Sequence, residues 1–190
     1  MATEIIEDTE IKGVNFAEKK MLAAEYDSCT FSNCVFANVD LSGKVFMECS
    51  FDNCDFSMAK ITDTAFRDVD FKACKLIGLH FEDCNTFLLS FRFEDCILNF
   101  SSYYKLKLKN ISFINCKLEE VEFVESDLTS SKFDNCDLNG SVFENSILEK
   151  ADFRTSVNYS IDPEINRIRK AKFSTQGLVG LLDRYDIEVE

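Results

Sequence analysis

The chain has 190 residues, 46% of them hydrophobic, which is enough to bury a sizeable core and excludes a disordered chain. Its 34 acidic against 21 basic side chains give a net charge of −13, which opposes binding to nucleic acid or an anionic membrane and favours a basic or polyanion-binding partner. No apolar run approaches the ~20 residues of a membrane-spanning helix, and Met1-Ala2-Thr3-Glu4 lacks the basic start of a signal peptide, so a soluble, cytoplasmic protein is expected.

Residues 1–13 read as a lead-in. From Phe16 a five-residue period begins: Phe16, Met21, Tyr26, Phe31, Phe36, Leu41, Phe46, Phe51, Phe56, Ile61, Phe66, Phe71, Leu76 and Phe81 are all large and apolar. A two-residue slip over 82–87 follows. The period resumes at Leu88, Phe93, Leu98, Tyr103, Leu108, Phe113, Leu118, Phe123, Leu128, Phe133, Leu138, Phe143, Leu148 and Phe153, so that all 28 centres are apolar. Five matches neither the 3.6 of a helix nor the 2.0 of a strand. The chain must turn inward once per unit.

Two residues before each centre the side chain is usually small, so a large and a small inward position alternate around a narrow axis. Lys19, Lys44 and Phe91 fit that small site badly and predict local distortion, because an unpaired inward ammonium is costly. Centres 20 residues apart also match, as in Phe93, Phe113, Phe133 and Phe153. Four units per coil, with coils ~4.8 Å apart, make about seven coils and a rod of roughly 34 Å, a quasi-one-dimensional solenoid.

The units Ala-Asp-Phe-Arg-Thr (151–155), Cys-Asp-Leu-Asn-Gly (136–140) and Ser-Lys-Phe-Asp-Asn (131–135) resemble those of the pentapeptide-repeat family over residues 14–156. The resemblance implies an all-β fold, a right-handed quadrilateral β-helix.

Nine cysteines could suggest a metal, but Cys29, Cys34, Cys49, Cys54, Cys74, Cys96, Cys116 and Cys136 all fall at the small inward site, as does Cys84 if the first register continues. They read as small hydrophobes with reduced thiols. No cofactor or metal is expected. The lone His80 falls at an outward position, and no phosphate loop, nucleophile elbow or paired-histidine motif occurs, so no catalytic activity is expected.

Acidic charge concentrates in Glu119, Glu120, Glu122, Glu125, Asp127, Asp134 and Asp137, with only Lys132 among them. This is the candidate protein-binding surface. The 20-residue rule places Lys105 and Lys107 beside Glu125 and Asp127, predicting a partial ion-pair ladder.

Past Phe153 the period is expected to end, and residues 157–190 read as a C-terminal cap entered through Pro163. Ser174 is a candidate N-cap. Leu178, Leu181, Leu182 and Tyr185 then form one apolar stripe of a short helix, followed by alternating Ile187 and Val189. The tail from Asn158 resembles the end of the Qnr-type quinolone-resistance proteins and the albicidin-resistance pentapeptide protein. That resemblance implies a homodimer joined through Leu178, Leu181, Leu182 and Tyr185. It further implies a DNA-mimicking rod that binds DNA gyrase or topoisomerase IV and protects it from quinolone- or albicidin-type inhibitors. Qnr proteins also carry two projecting loops, where this chain has only the short slip. The alternative is a scaffolding solenoid with some other protein partner.

Overall fold

The computed structural model describes residues 5–185, 187 and 188; Val189 and residues 1–4 lie outside the described residues. The chain winds as a four-sided parallel β-solenoid with strands β1 (Ile5–Glu7), β2 (Glu10–Lys12), β3 (Glu25–Asp27), β4 (Thr30–Ser32), β5 (Val45–Met47), β6 (Ser50–Asp52), β7 (Ala65–Arg67), β8 (Val69–Lys72), β9 (Phe91–Glu94), β10 (Ser112–Ile114) and β11 (Lys132–Asp134). One sheet runs β1-β3-β5-β7 and the other β11-β10-β9-β8-β6-β4-β2, every pairing parallel. The remaining two sides are held by single bridges 20 residues apart, such as Val35↔Asp55 and Ser102↔Glu122.

The sides are numbered here in chain order from the one centred on Ile6. Side two holds a column of eight stacked rings, Phe31, Phe51, Phe71, Phe93, Phe113, Phe133, Phe153 and Phe173, with neighbouring centroids 4.7 to 5.5 Å apart. Rings on adjacent sides meet edge to face, as Phe51 does with Phe56 at 4.9 Å. Stacked along the axis and edge-on across it, the aromatics fill the interior in the geometries their quadrupoles favour.

The small inward site works as the alternation requires, and its residue reports the turn beside it. Cys29, Cys34, Cys49, Cys54, Cys74, Cys96, Cys116 and Cys136 follow open turns, and each thiol donates to the carbonyl two residues back, at 3.2 to 3.5 Å. Most serines and Ala151 follow closed turns, in which their own N–H reaches the preceding centre, as in Ser131 to Leu128 at 3.0 Å and Ala151 to Leu148 at 3.1 Å; Ser146 instead follows an open turn, its hydroxyl donating to the Glu144 carbonyl at 3.1 Å. Many of the buried hydroxyls then reach a carbonyl one coil below: Ser156 donates to Phe133 at 2.7 Å and Thr64 to Leu41 at 2.9 Å. Cys84 departs from its fellows. It closes a single 3-10 turn at Phe81–Asp83, its N–H donating to Phe81 at 3.1 Å.

The structure corrects the register around the slip. Leu88 is not an inward centre; it is 65% exposed and holds the left-handed turn position (φ 58°) 20 residues after Asp68. Normal coil bonding persists to Asn85, whose N–H donates to Thr64, and resumes at Ser90, whose N–H donates to Phe66. The bulge is therefore Thr86–Leu89. Phe91, expected to be too large for the small site, is buried there opposite Val69 and leans into the space the missing centre leaves, its ring 5.3 Å from Phe81 and 5.1 Å from Phe93. One oversized side chain replaces a large and small pair, which keeps the volume nearly constant.

Two further expectations are revised. Lys19 does not enter the small site: its N–H closes a turn onto Asn15 at 3.0 Å, and its side chain is exposed. Lys44 does occupy it, half-buried, and Nζ donates to the Ala23 carbonyl at 2.6 Å. Burial, and then the nearby charge of Lys20, push the Lys44 pKa down.

The coil pattern also extends beyond residues 14–156. β1 and β2 pair with β3 and β4. At the other end Ile147↔Arg167 and Asp152↔Lys172 continue the ladders, and Phe173 stacks on Phe153. Asn166 takes the small site, donating to the Phe143 carbonyl at 2.7 Å while its own oxygen accepts from the Ser146 N–H.

The tail is not one α-helix but two 3-10 segments, Gln176–Leu181 and Asp183–Tyr185. The N-cap of the first is Thr175 rather than Ser174, and it makes no side-chain cap bond; Ser174, one residue earlier, accepts from the Gly177 N–H at 3.0 Å. Close approach to Tyr159 selects this geometry, because a Cβ on Gly180 would lie 2.0 Å from the Tyr159 carbonyl and one on Gly177 1.9 Å from its hydroxyl. Three residues per turn break up the expected stripe. Leu181 packs on the core, Leu182 is half-buried, and Leu178 and Tyr185 stay exposed.

Candidate protein-binding surface

A run of nineteen residues, 119–137, is nearly one full coil, so the acids predicted as one surface encircle the rod. Glu119 and Glu120 stand at the corner between sides three and four, and Glu122 on side four beside them. Glu125 occupies the next corner and Asp127 side one, while Asp134 lies on side two and Asp137 on side three. The structure brings together only Glu119, Glu120 and Glu122, and separately Glu125 and Asp127.

Several of these carboxylates are already engaged. Lys105 meets Glu125 at 3.5 Å, as the 20-residue rule predicts, but Asp127 is paired by Lys109 at 3.3 Å rather than by Lys107. Burial raises the Asp127 pKa, yet bonds from Thr129 and Lys109 outweigh it and leave the carboxyl below its ordinary range. Asp134 is lowered by Lys132 at 2.6 Å and then by Thr155. Glu122 accepts from the Ser102 hydroxyl at 3.0 Å, and Asp137 from Asn158 at 2.8 Å.

A different edge carries uncommitted charge. At the corner between sides one and two, Glu7, Asp8, Asp27, Glu48 and Asp68 line the coils before the bulge; Arg67 stands in the same column, but among the described residues no cation lies within 4 Å of these carboxylates. Asp8, Glu48 and Asp68 sit in the left-handed turn position at φ 48 to 53°, which aims them outward. Among the described residues the Asp27 carboxylate accepts only from the neighbouring Ser28 hydroxyl. The spacing 8, 28, 48, 68 was the available signal; counting charge along the chain rather than around the coil hid it. Above the bulge the same corner turns basic, with Lys109, Lys150, Arg169 and Lys170 against one carboxylate, Glu149, which Arg167 pairs at 2.7 Å.

The bulge adds an apolar feature. Phe87 and Leu88 are 67% and 65% exposed, and the Arg67 guanidinium lies 5.7 Å from the Phe87 ring. Met58 and Phe100 are likewise exposed at the diagonally opposite corner.

His80 is exposed and bonds Glu82 at 3.0 Å. All nine cysteines are free and buried, and burial pushes the Cys49 thiol up to about 12. No group of three or more His, Cys, Asp or Glu among the described residues is placed to hold a metal. No helix among them is long and apolar enough to cross a membrane.

The pentapeptide repeat region model matches residues 24–92 and 87–159. The chain belongs to the pentapeptide-repeat family. Among solved structures, this pentapeptide-repeat protein is similar in fold to a trypsin-treated form of QnrB1, a plasmid-mediated fluoroquinolone resistance protein, at 16% identity over 100% of both chains and a TM-score of 0.61. It is also similar to HetL, involved in heterocyst differentiation regulation in the cyanobacterium Nostoc sp. strain PCC 7120, at 14% identity, 91% of this chain and 87% of that one, with a TM-score of 0.58. No curated protein matches the chain.

Proposed function

We propose that this protein is a non-enzymatic DNA mimic that binds a bacterial type II topoisomerase, DNA gyrase or topoisomerase IV, and modulates it or shields it from quinolone- or albicidin-type inhibitors. The observation that carries the reading is the Glu7–Asp68 corner, a line of unpaired carboxylates on a rigid rod, one step per coil of ~4.8 Å. A surface built to neutralise phosphates attracts such a line by the same field that steers DNA. The fold shared with QnrB1 supports the choice of partner. Exposed Leu178, Val179, Tyr185 and Ile187 supply the apolar area for a C-terminal homodimer. The family resemblance favours a cytoplasmic location.

The test is a gyrase supercoiling assay with and without ciprofloxacin, comparing wild type with Asp27→Asn/Glu48→Gln/Asp68→Asn. Inhibition or drug rescue that is lost in the variant supports the reading. No effect of folded wild-type protein at any concentration overturns it for that enzyme. Phe87 and Leu88 favour a second reading, a scaffold docking another protein through apolar contacts. Binding through carboxylates weakens at high ionic strength, where exposed charges are screened beyond ~8 to 10 Å, whereas binding through Phe87 persists.

A further inference from the structure

Among the described residues the two ends of the rod are finished differently. At the C-terminal end, Gln176–Leu181 lies over Tyr159, and the Ile161 N–H donates to Gly180 at 2.8 Å. At the N-terminal end, β1 and β2 are the outermost strands of their sheets. Ile6, Ile11, Val14 and Phe16 are only partly covered, and Ile5 and Leu22 are 48% and 71% exposed. Open strand edges beside apolar side chains form a template for another strand.

Charge around this end is divided. Glu7, Asp8 and Glu10 stand at and beside the corner between sides one and two. Lys19 and Lys20 stand diagonally across, between sides three and four, and outnumber the one carboxylate there, Glu18, which accepts from the Asn15 amide at 2.9 Å. Among the described residues Glu7 and Asp8 have no cationic partner and Lys19 and Lys20 no carboxylate, while Glu10 meets Lys12 at 2.6 Å. Each corner is therefore complementary to the other, yet the width of the rod keeps the two apart within one chain.

We propose that the N-terminal end is an interface with a second copy of this chain, two rods meeting end to end about a two-fold axis through the other two corners. That axis places the acidic corner of each copy on the Lys19–Lys20 corner of the other, with Ile6, Ile11 and Phe16 between them. It also reverses the sense of winding, so β1 and β2 of each copy run antiparallel to the segments on sides four and three of the other. The contact is isologous and closes on itself. One coil end is a small area, which suits a weak association, and salt weakens it further. The interface is separate from the C-terminal one and does not rest on the topoisomerase reading.

The experiment is sedimentation equilibrium of the full chain with three exposed-residue variants: Lys19→Glu/Lys20→Glu, Glu7→Lys/Asp8→Lys, and all four together. Each double reversal is expected to weaken association about tenfold or more. The fourfold variant, and an equimolar mixture of the two doubles, are expected to regain it, which no effect on folding could produce. Carbodiimide coupling of wild type should join Lys19 or Lys20 to Glu7, Asp8 or Glu10 in a dimer band, a bond that opposite corners of one chain cannot make. The series is repeated in a Val179→Asp background to remove the C-terminal contact. Association moved by the reversals in that background carries the proposal even if the C-terminal dimer fails. Association unmoved by them, or a mixture no more associated than its components, overturns it.

Discussion

The coils before and after the bulge use one architecture with different chemistry. Before it, both sheets are present, the small site is mostly cysteine, alanine or valine, and the corner between sides one and two is acidic. After it, side one is reduced to the bridges Lys107↔Asp127, Asp127↔Ile147 and Ile147↔Arg167, serine joins the small site, and the same corner is basic. Turn closure links these differences. A cysteine turn stays open and extends the flanking residues into strands, whereas the closed turns at Ile111, Ser131 and Ala151 use N–H groups for local bonds. The lower coils thus gain ladder at the cost of turn bonds, and the upper coils the reverse.

The largest test of this contrast is truncation of one inward centre in each half, Phe51 on side two and Leu138 on side three. Phe51 stacks between Phe31 and Phe71 at 4.8 and 5.2 Å, so Phe51→Ala should cost about 3–5 kcal/mol, and Leu138→Ala about 2–5. Urea midpoints of the two variants, compared at constant m, measure the difference. Equal and small losses would show that the ring column is not what holds the lower coils. At the junction, Phe91→Ala should cost about 3 kcal/mol, while Leu88→Ala stays within about 0.5. The opposite ranking would return Leu88 to the core and undo the observed register. At the upper end, Gly180→Ala should lift the cap from Tyr159, read as faster exchange of the Ile161 amide with lower-coil amides unchanged.

Much of this fold was legible because a five-residue period is a strong constraint: 27 of the 28 centres point inward, Phe16 only partly buried. Leu88 was misplaced because a two-residue insertion fits on either side of a residue that is apolar in both registers. Only the volume of Phe91 decides between them, and volume is a property of packing. Ile168 and Phe173 were signalled by the 20-residue rule but hidden by the Pro163 detour. The candidate surface was the least legible part. In a coil of 20 residues, proximity along the chain means separation around the rod, so the acids at 119–137 scatter while Asp8, Glu48 and Asp68 align. The cap required knowing that Tyr159 admits only glycine at 177 and 180.

The smallest expected effect concerns acid. In the upper coils Arg154 holds Asp152 at 2.8 Å, and this bond draws its pKa down to about 2. Asp134 is lowered by Lys132 and Asp127 by Thr129 and Lys109. In the lower coils the comparable case is Asp40, lowered first by Ser42. A carboxyl whose folded pKa lies below its unfolded value of ~3.9 adds stability above that value and loses it as pH falls toward the folded pKa. Between about pH 4 and 2, amide exchange should therefore rise in the upper coils first, at Lys172 among others, whose N–H donates to Ala151. Arg154→Gln should move the Asp152 carboxyl titration back toward its ordinary range and leave Asp40 where it is. If the Asp152 titration, followed by carboxyl carbon NMR, does not move, the Arg154 pair does not set it, and the contrast in acid response between the two halves loses its cause.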